Sequence, residues 1–356
     1  MRDFSEAPFL VIWETTQACD LACKHCRASA QPDRDSRELS LAEGRNLLRQ
    51  IKDFGDPLLV FTGGDPLKRP DLFTLIEESA GLGLRTTVTP SATPLLTEDA
   101  VTRLQRAGIA RMAVSLDGAD AAAHDSFRQV AGSFDQTMRA LRHAASIGLE
   151  TQINTTVTRH NVQTLPRIAE VVGAEKARLW SVFFLVVTGR ALAEDDLSAE
   201  EYEEVFDFLY RTARTAPFDI KTTEAQHYRR YAAQQRKQNG GAQGAPAGVI
   251  QRQAGINDGK GFVFISHTGE IFPSGFLEVS AGNIRQTSLR EAYRNSALFR
   301  VLRESDALGG KCGVCDYRNL CGGSRSRAYA LTGDYLAADP RCVYVPAAFT
   351  PDAARV

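Results

Sequence analysis

Cys19-Asp20-Leu21-Ala22-Cys23-Lys24-His25-Cys26 places three cysteines in eight residues, just after the apolar run Phe9-Leu10-Val11-Ile12-Trp13. One loop leaving a buried strand can therefore gather three thiolates round one soft metal centre. Thiolates select iron–sulfur clusters, zinc or copper(I) over magnesium or calcium. A structural zinc ion wants a fourth ligand. His25 is on offer, but beside Cys26 it is poorly spaced to join the same tetrahedron. A second reading is a four-iron cluster with three irons held by cysteine and one open to a small molecule. Free thiols are the third, and spacing alone leaves all three open.

Working outward from this loop, the spacing predicts strands at 9–15, 57–62, 84–89, 111–116, 151–157 and 179–187. Helices are predicted at 39–54, 71–82, 97–107, 133–147, 165–172 and 198–214. Ser40 can cap the first helix, and Leu41, Leu47, Leu48, Ile51 and Phe54 give its apolar face. Short, mostly apolar strands in strict alternation with helices indicate an α/β fold, a parallel sheet covered on both faces. Periodicity does not choose between an open doubly wound sheet and a barrel. No turn carries a Gly-x-Gly-x-x-Gly or Walker pattern, which weakens a nucleotide-binding open sheet.

The pattern changes after residue 214. The stretch 214–231 is transitional, and 232–248 is rich in Gln, Gly and Ala, as a loop or linker is. Two apolar runs flanking His267-Thr268-Gly269 read as a β-hairpin, followed by a helix at 288–304. These shifts divide the chain into 1–215, a helical or flexible linker at 216–255, and a small α+β cysteine-rich unit at 256–356. In the last of these, Cys312, Cys315, Cys321 and Cys342 can close one tetrahedral centre, which zinc and an iron–sulfur cluster fit equally.

Composition narrows the partners. A formal charge of −1 over 356 residues gives no argument for nucleic acid. No apolar run reaches membrane-spanning length, and the N-terminus does not begin a signal peptide, so a cytoplasmic protein is expected. Seven cysteines, three early and four late, suit two metal sets better than disulfides.

Cys-x3-Cys-x2-Cys after a first strand resembles the signature of the radical S-adenosylmethionine (radical SAM) enzymes. The resemblance covers residues 9–215 and implies a partial (β/α)6 TIM-like barrel with its chemistry at the C-terminal strand ends. It implies a [4Fe-4S] cluster on Cys19, Cys23 and Cys26, whose open iron binds SAM. Reductive cleavage of SAM then releases a 5'-deoxyadenosyl radical that abstracts a substrate hydrogen. Thr62-Gly63-Gly64-Asp65-Pro66 is similar to the family's Gly-Gly-Glu-Pro, whose backbone meets the SAM amino group. Asp65 departs from the usual Glu, so only the backbone role carries over. Ser115 and Arg128 match positions that contact SAM, and a guanidinium fork suits the SAM carboxylate. Asn154 to Val157 resembles the segment beside ribose and adenine. His25 stands where the family usually has a bulky ring, and is expected to pack rather than ligate.

From 261 to 344 the chain resembles the C-terminal auxiliary-cluster extension called SPASM, or its shorter form, Twitch. Full two-cluster relatives usually carry cysteine where this chain has Ser274. One auxiliary [4Fe-4S] cluster on Cys312, Cys315, Cys321 and Cys342 is therefore expected, for electron transfer or for shaping the cavity. Within the superfamily the chain looks most like enzymes acting on tetrapyrrole propionates or on ribosomal peptides. Abstraction beside a carboxylate, with loss of carbon dioxide and one electron, would use the auxiliary cluster as acceptor. Arg159, Arg190, Arg325 and Arg327 are candidate carboxylate partners, and Glu14 and Tyr329 are the unassigned catalytic candidates. The first strand starts near residue 9, leaving no leader-binding domain in cis, which weighs against a peptide. A carbohydrate or nucleoside carboxylate is a further option. A flavodoxin- or ferredoxin-like electron donor is implied. An iron–sulfur carrier is the non-enzymatic alternative, and a carrier needs no Gly63-Gly64 turn or Arg128.

Overall fold

The structure, a computed structural model, describes residues 3–238 and 255–350. The alternation seen in sequence sets two faces for each strand. In β1 (Leu10–Glu14), Val11 and Trp13 enter the core, while Leu10, Ile12 and Glu14 face the other way. In β2 (Leu58–Thr62), Leu59 and Phe61 do the same, and the Trp13 and Phe61 rings meet at 5.5 Å. Gly44, on the first helix (Leu41–Lys52), lets Trp13 pack tightly, since a Cβ there would stand 2.8 Å from the indole. That helix carries the expected cap: Ser40 accepts from the Glu43 amide and Glu43 reaches back to Ser40.

The series continues through β3 (Arg85–Val88), β4 (Arg111–Ser115), β5 (Thr151–Val157), β6 (Leu179–Phe184), β7 (Asp219–Thr223), β8 (Phe262–Ile265) and β9 (Ile271–Phe272). All nine form one sheet, in the order β7-β6-β5-β4-β3-β2-β1-β8-β9. Every pair is parallel except the β8–β9 hairpin. The two edges do not pair, yet they approach each other. Ser274, just past β9, donates to Glu224, just past β7, at 3.4 Å. The sheet is thus a curled, incomplete barrel.

Three features differ from the expectation. β7 lies in the stretch read as transitional: only Ile220 of Asp219–Thr223 enters the core, so the strand shows no apolar run. Helix Tyr228–Gln238 follows it, and the rest of the expected linker, 239–254, lies outside the described residues. The hairpin assigned to a separate C-terminal unit instead extends the barrel sheet, because β8 pairs with β1 from Leu10 to Trp13. A short helix, Ala121–Arg128, was not expected; Asp120 caps it by accepting from the Ala123 amide. No helix among the described residues is long and apolar enough to cross a membrane.

Candidate active site

The cysteine loop leaves β1 at the C-terminal end of the strands. Thr16 ties it down, accepting from the Ala18 amide at 3.0 Å and donating to Glu38. Cys19, Cys23 and Cys26 are free thiols in a small cluster with Leu21, Ala30 and Val130. Each sulfur has its own polar neighbour. Cys19 Sγ accepts from the Leu21 amide at 3.4 Å, Cys26 Sγ from the Ala30 amide at 3.4 Å, and Cys23 Sγ from Arg128 at 3.5 Å. Such donors favour sulfur that carries negative charge. Burial pushes the Cys19 thiol up to about 11, so a ligated soft metal has to displace its proton.

The Gly63-Gly64 turn serves this loop directly. A Cβ on Gly63 would stand 2.5 Å from the Thr16 carbonyl, and one on Gly64 would stand 2.5 Å from those of Gln17 and Ala18. The Gly64 amide donates to Thr16 and the Asp65 amide to Ala18, at 2.8 and 2.6 Å. The Gly64 carbonyl accepts from Ser91 at 2.7 Å. The Asp65 carboxylate faces inward: it accepts from Thr93 at 2.6 Å and caps the turn of helix Pro66–Lys68. Its side chain holds the turn, and burial raises its pKa.

On the opposite side, Arg128 pairs with Asp117, which also accepts from the Thr156 amide at 2.7 Å. The Arg128 Nε has no partner and is buried. His25 stacks on Phe127 at 4.5 Å, as expected of a packing ring. Burial, with Arg128 beside it, pushes its pKa down to about 3. Its Nδ1 is unpaired. The β6 loop closes over the cysteines: Gly189 leaves no room for a Cβ against the Cys26 and Arg27 carbonyls, and Arg190 donates to the Cys23 and Ala30 carbonyls at 3.0 and 3.2 Å. Arg190 Nη2 is buried and unpaired. Arg128 and Arg190 therefore leave orphaned donors on side chains that bond the cysteine loop, which suits an anionic cluster and a ligand with a carboxylate.

Strand register brings together residues that sequence motifs treat separately. Ser115 pairs with Asn154, Asn154 with Ser181, and Ser181 with Lys221. Motif reading finds the first two. Ser181 and Lys221 carry no motif, and only the register reveals them. Lys221 sits opposite the core residue Ile220 in the strand alternation. Burial, with Arg111 nearby, lowers its pKa to about 8. The Val157 side chain lies on the Ile153 side of β5 and is buried in the core. Only its backbone is available to a ligand.

Glu14 is also reassigned. It is buried between Arg27, which bonds it directly, and His267, whose Nδ1 is 3.0 Å away. Arg27 in turn donates to the Gly275 carbonyl at 3.1 Å and covers the Phe264 ring at 4.7 Å. Glu14 thus fastens the cysteine loop to the β8–β9 hairpin. Tyr329 is 39% exposed and contacts Tyr335. Arg325 and Arg327 are buried and donate to carbonyls of Tyr335, Ala337, Leu185 and Glu224. Arg159 pairs with Glu201 at the surface.

The late cysteines also come together. Cys312, Cys315, Cys321 and Cys342 line one cavity, with His227, Arg230, Tyr317 and Tyr344 in its wall. Gly323, in the same wall, has a φ of +67° and leaves no room for a Cβ, which would stand 2.6 Å from Arg325 Nη2 and 2.8 Å from Asp339 Cβ. Burial raises the pKa of Cys315, Cys321 and Cys342. Among the described residues, no three His, Cys, Asp or Glu side chains stand close enough to share one metal ion. A four-iron cluster does not ask that of them, because each cysteine binds a different iron. Four thiols round one cavity, with unpaired donors on His227 and Arg230, fit such a group.

Residues 13–172 match the model of the radical SAM superfamily. Over 354 residues, 99% of this chain and 96% of the other, the sequence is 41% identical to an AdoMet-dependent heme synthase of Nitratidesulfovibrio vulgaris. The chain belongs to the radical SAM superfamily. Another AdoMet-dependent heme synthase, from Methanosarcina barkeri, is 38% identical over 97% of this chain and 99% of its own length. Streptococcus suis SuiB, solved with S-adenosylmethionine bound, shares the fold: TM-score 0.74 at 18% identity, covering 95% of this chain and 78% of that one. This radical SAM protein is therefore an enzyme related to tetrapyrrole- and peptide-modifying members of the superfamily. Its three early cysteines stand in the loop that follows β1.

Proposed function

We propose that this radical SAM enzyme converts propionate side chains of an iron tetrapyrrole to vinyl groups by oxidative decarboxylation. One observation carries the reading: near-full-length identity of 41% to an AdoMet-dependent heme synthase, over both cysteine sets. With a [4Fe-4S] cluster and SAM bound, the early cysteine loop supplies a 5'-deoxyadenosyl radical. The chain's own part is positioning. Arg128 and the Gly63-Gly64 turn frame the amino-acid end of SAM, and Ser115 and Asn154 frame its nucleoside. Arg190 and Lys221 offer cationic donors to a substrate carboxylate.

Loss of hydrogen from the propionate carbon next to the macrocycle leaves a radical there. Breaking the bond to the carboxylate then gives the vinyl group, carbon dioxide and one electron. That electron needs an acceptor. Cys312, Cys315, Cys321 and Cys342 would hold an auxiliary [4Fe-4S] cluster of the SPASM or Twitch type, which would supply such an acceptor. A flavodoxin or ferredoxin is the external donor for SAM cleavage.

The test is anaerobic turnover of an iron porphyrin bearing four propionates, deuterated at the carbon next to the macrocycle. Deuterium in 5'-deoxyadenosine, with a matching yield of vinyl product, is expected. SAM cleavage with no porphyrin product, or product only from a peptide, overturns the substrate class.

A further inference from the structure

His227 follows β7 and opens the turn into helix Tyr228–Gln238. It is wholly buried, and its ring is fixed by packing. It stacks on Tyr202 at 5.6 Å with 15° between the planes, and meets Phe206 edge-on at 4.8 Å. Neither ring nitrogen has a hydrogen-bond partner. The Asp339 carboxylate, 3.6 Å from Nδ1, is too far to bond well. The same side chain lines the cavity of the four late cysteines.

A buried imidazole with both nitrogens unpaired needs a reason, because native chains satisfy almost all such groups. The neighbouring donors show the contrast. Arg230 spends its two Nη groups on Glu203, Gln234 and Cys342 Sγ and leaves only Nε unpaired. His227 spends nothing on the protein. The ring carries an N–H in either tautomer. The cavity is otherwise walled by thiols, aromatic rings and cations.

We propose that His227 donates its ring N–H to a sulfur of the auxiliary iron–sulfur cluster and so raises the reduction potential of that cluster. The inference rests on the auxiliary-cluster reading given above. Hydrogen bonds to cluster sulfurs are among the factors that set such potentials. Reduction adds one negative charge to the cluster, so a dipole aimed at sulfur favours the reduced form. A higher potential makes the cluster a better acceptor for the electron left by decarboxylation. His227 is a positioning residue that acts through the cluster and touches no substrate.

The test uses the full-length chain with Cys19→Ala, Cys23→Ala and Cys26→Ala, reconstituted with iron and sulfide, so that only the late set can hold a cluster. In that background His227→Phe keeps the ring stack and removes the donor, and His227→Gln keeps a donor. Iron and sulfide per chain are expected to stay unchanged. The reduction equilibrium should fall at least tenfold in the phenylalanine variant, about 59 mV for one electron, and the glutamine variant should recover most of it. Pulsed magnetic resonance on the reduced background protein, labelled with nitrogen-15 histidine, should show coupling to one imidazole; this readout needs no change at His227. Equal potentials at equal iron content, or no imidazole coupling, overturn the His227 assignment and leave the auxiliary cluster standing. A background protein that holds zinc or no cluster overturns the auxiliary-cluster reading, and this assignment with it.

Discussion

Cys26 is held at both ends, its Sγ accepting from the Ala30 amide while its carbonyl takes the Arg190 amide. Cys26→Ala keeps the loop backbone and removes one of three thiolates. We expect 5'-deoxyadenosine formation to fall to background in an anaerobic assay with SAM and dithionite; retained cleavage would refute the cluster assignment. Glu14 makes a different kind of prediction. Burial opposes its charge, but Arg27 and His267 hold its carboxyl below the usual 4.5. Burial likewise opposes charge on His267, yet the Glu14 bond holds it above the usual 6.5. A lowered carboxyl contributes stability above about 4.5 and loses it as pH falls through the folded value. A raised histidine contributes fully below about 6.5 and loses it as pH rises through the folded value. The pair is thus strongest between about pH 4.5 and 6.5. Glu14→Gln leaves the half-buried Arg27 beside a neutral amide and should cost about 3 kcal/mol in that window, less on either side. Thermal unfolding across pH decides it, and a pH-independent difference would sink the assignment. Sequence showed Glu14 at a strand end but not its role, because its partners lie 13 and 253 residues away.

At the scale of elements, the strand ends do the positioning, and tight backbone contact is their means. The turn after β2 touches the cysteine loop through two glycines. Gly64→Ala puts a methyl group 2.5 Å from the Gln17 and Ala18 carbonyls, so the loop must move. We expect a loss of about 1–3 kcal/mol from overpacking and a larger drop in early-cluster iron than in late-cluster iron. Metal analysis with and without the early cysteines separates the two, and full iron in the variant would contradict the contact. Strands and helices with a strong period were legible, from the capped helix at Leu41–Lys52 to β5, whose bounds match the expected 151–157. β7 was not. An edge strand that faces a polar lumen needs only Ile220 for the core, so hydrophobic alternation is absent. Lys221 and Ser181 were hidden for the same reason, since hydrogen-bonded register across strands has no signature within any one of them.

For the whole molecule, the sheet order decides how separable the two halves are. Composition shifts suggested a boundary near 216–255, and composition reports local chain character, not strand pairing. β1 lies between β2 and β8, so the first strand of the barrel has a C-terminal strand as its neighbour. Arg27 adds a second tie, joining the cysteine loop to Glu14, Gly275 and Glu278. Removing everything after residue 238 would expose the β1 edge, with Leu10 to Trp13 unpaired, beside a buried Glu14 that has lost His267. An exposed apolar strand edge is a template for aggregation. The fragment 3–238 should therefore be insoluble or lack cooperative unfolding, although it holds every residue of the radical SAM signature. Expression of that fragment, followed by calorimetry on any soluble part, tests this. A cooperative transition with a full early cluster would show that the C-terminal hairpin is an accessory and not part of the barrel. The same architecture predicts the outcome for Cys315→Ala. No residue of the early loop lines its cavity, so SAM cleavage should persist while product formation stops. Chromatography of 5'-deoxyadenosine and product from one reaction gives that ratio, and parallel loss of both would mean that the late cysteines hold the barrel together.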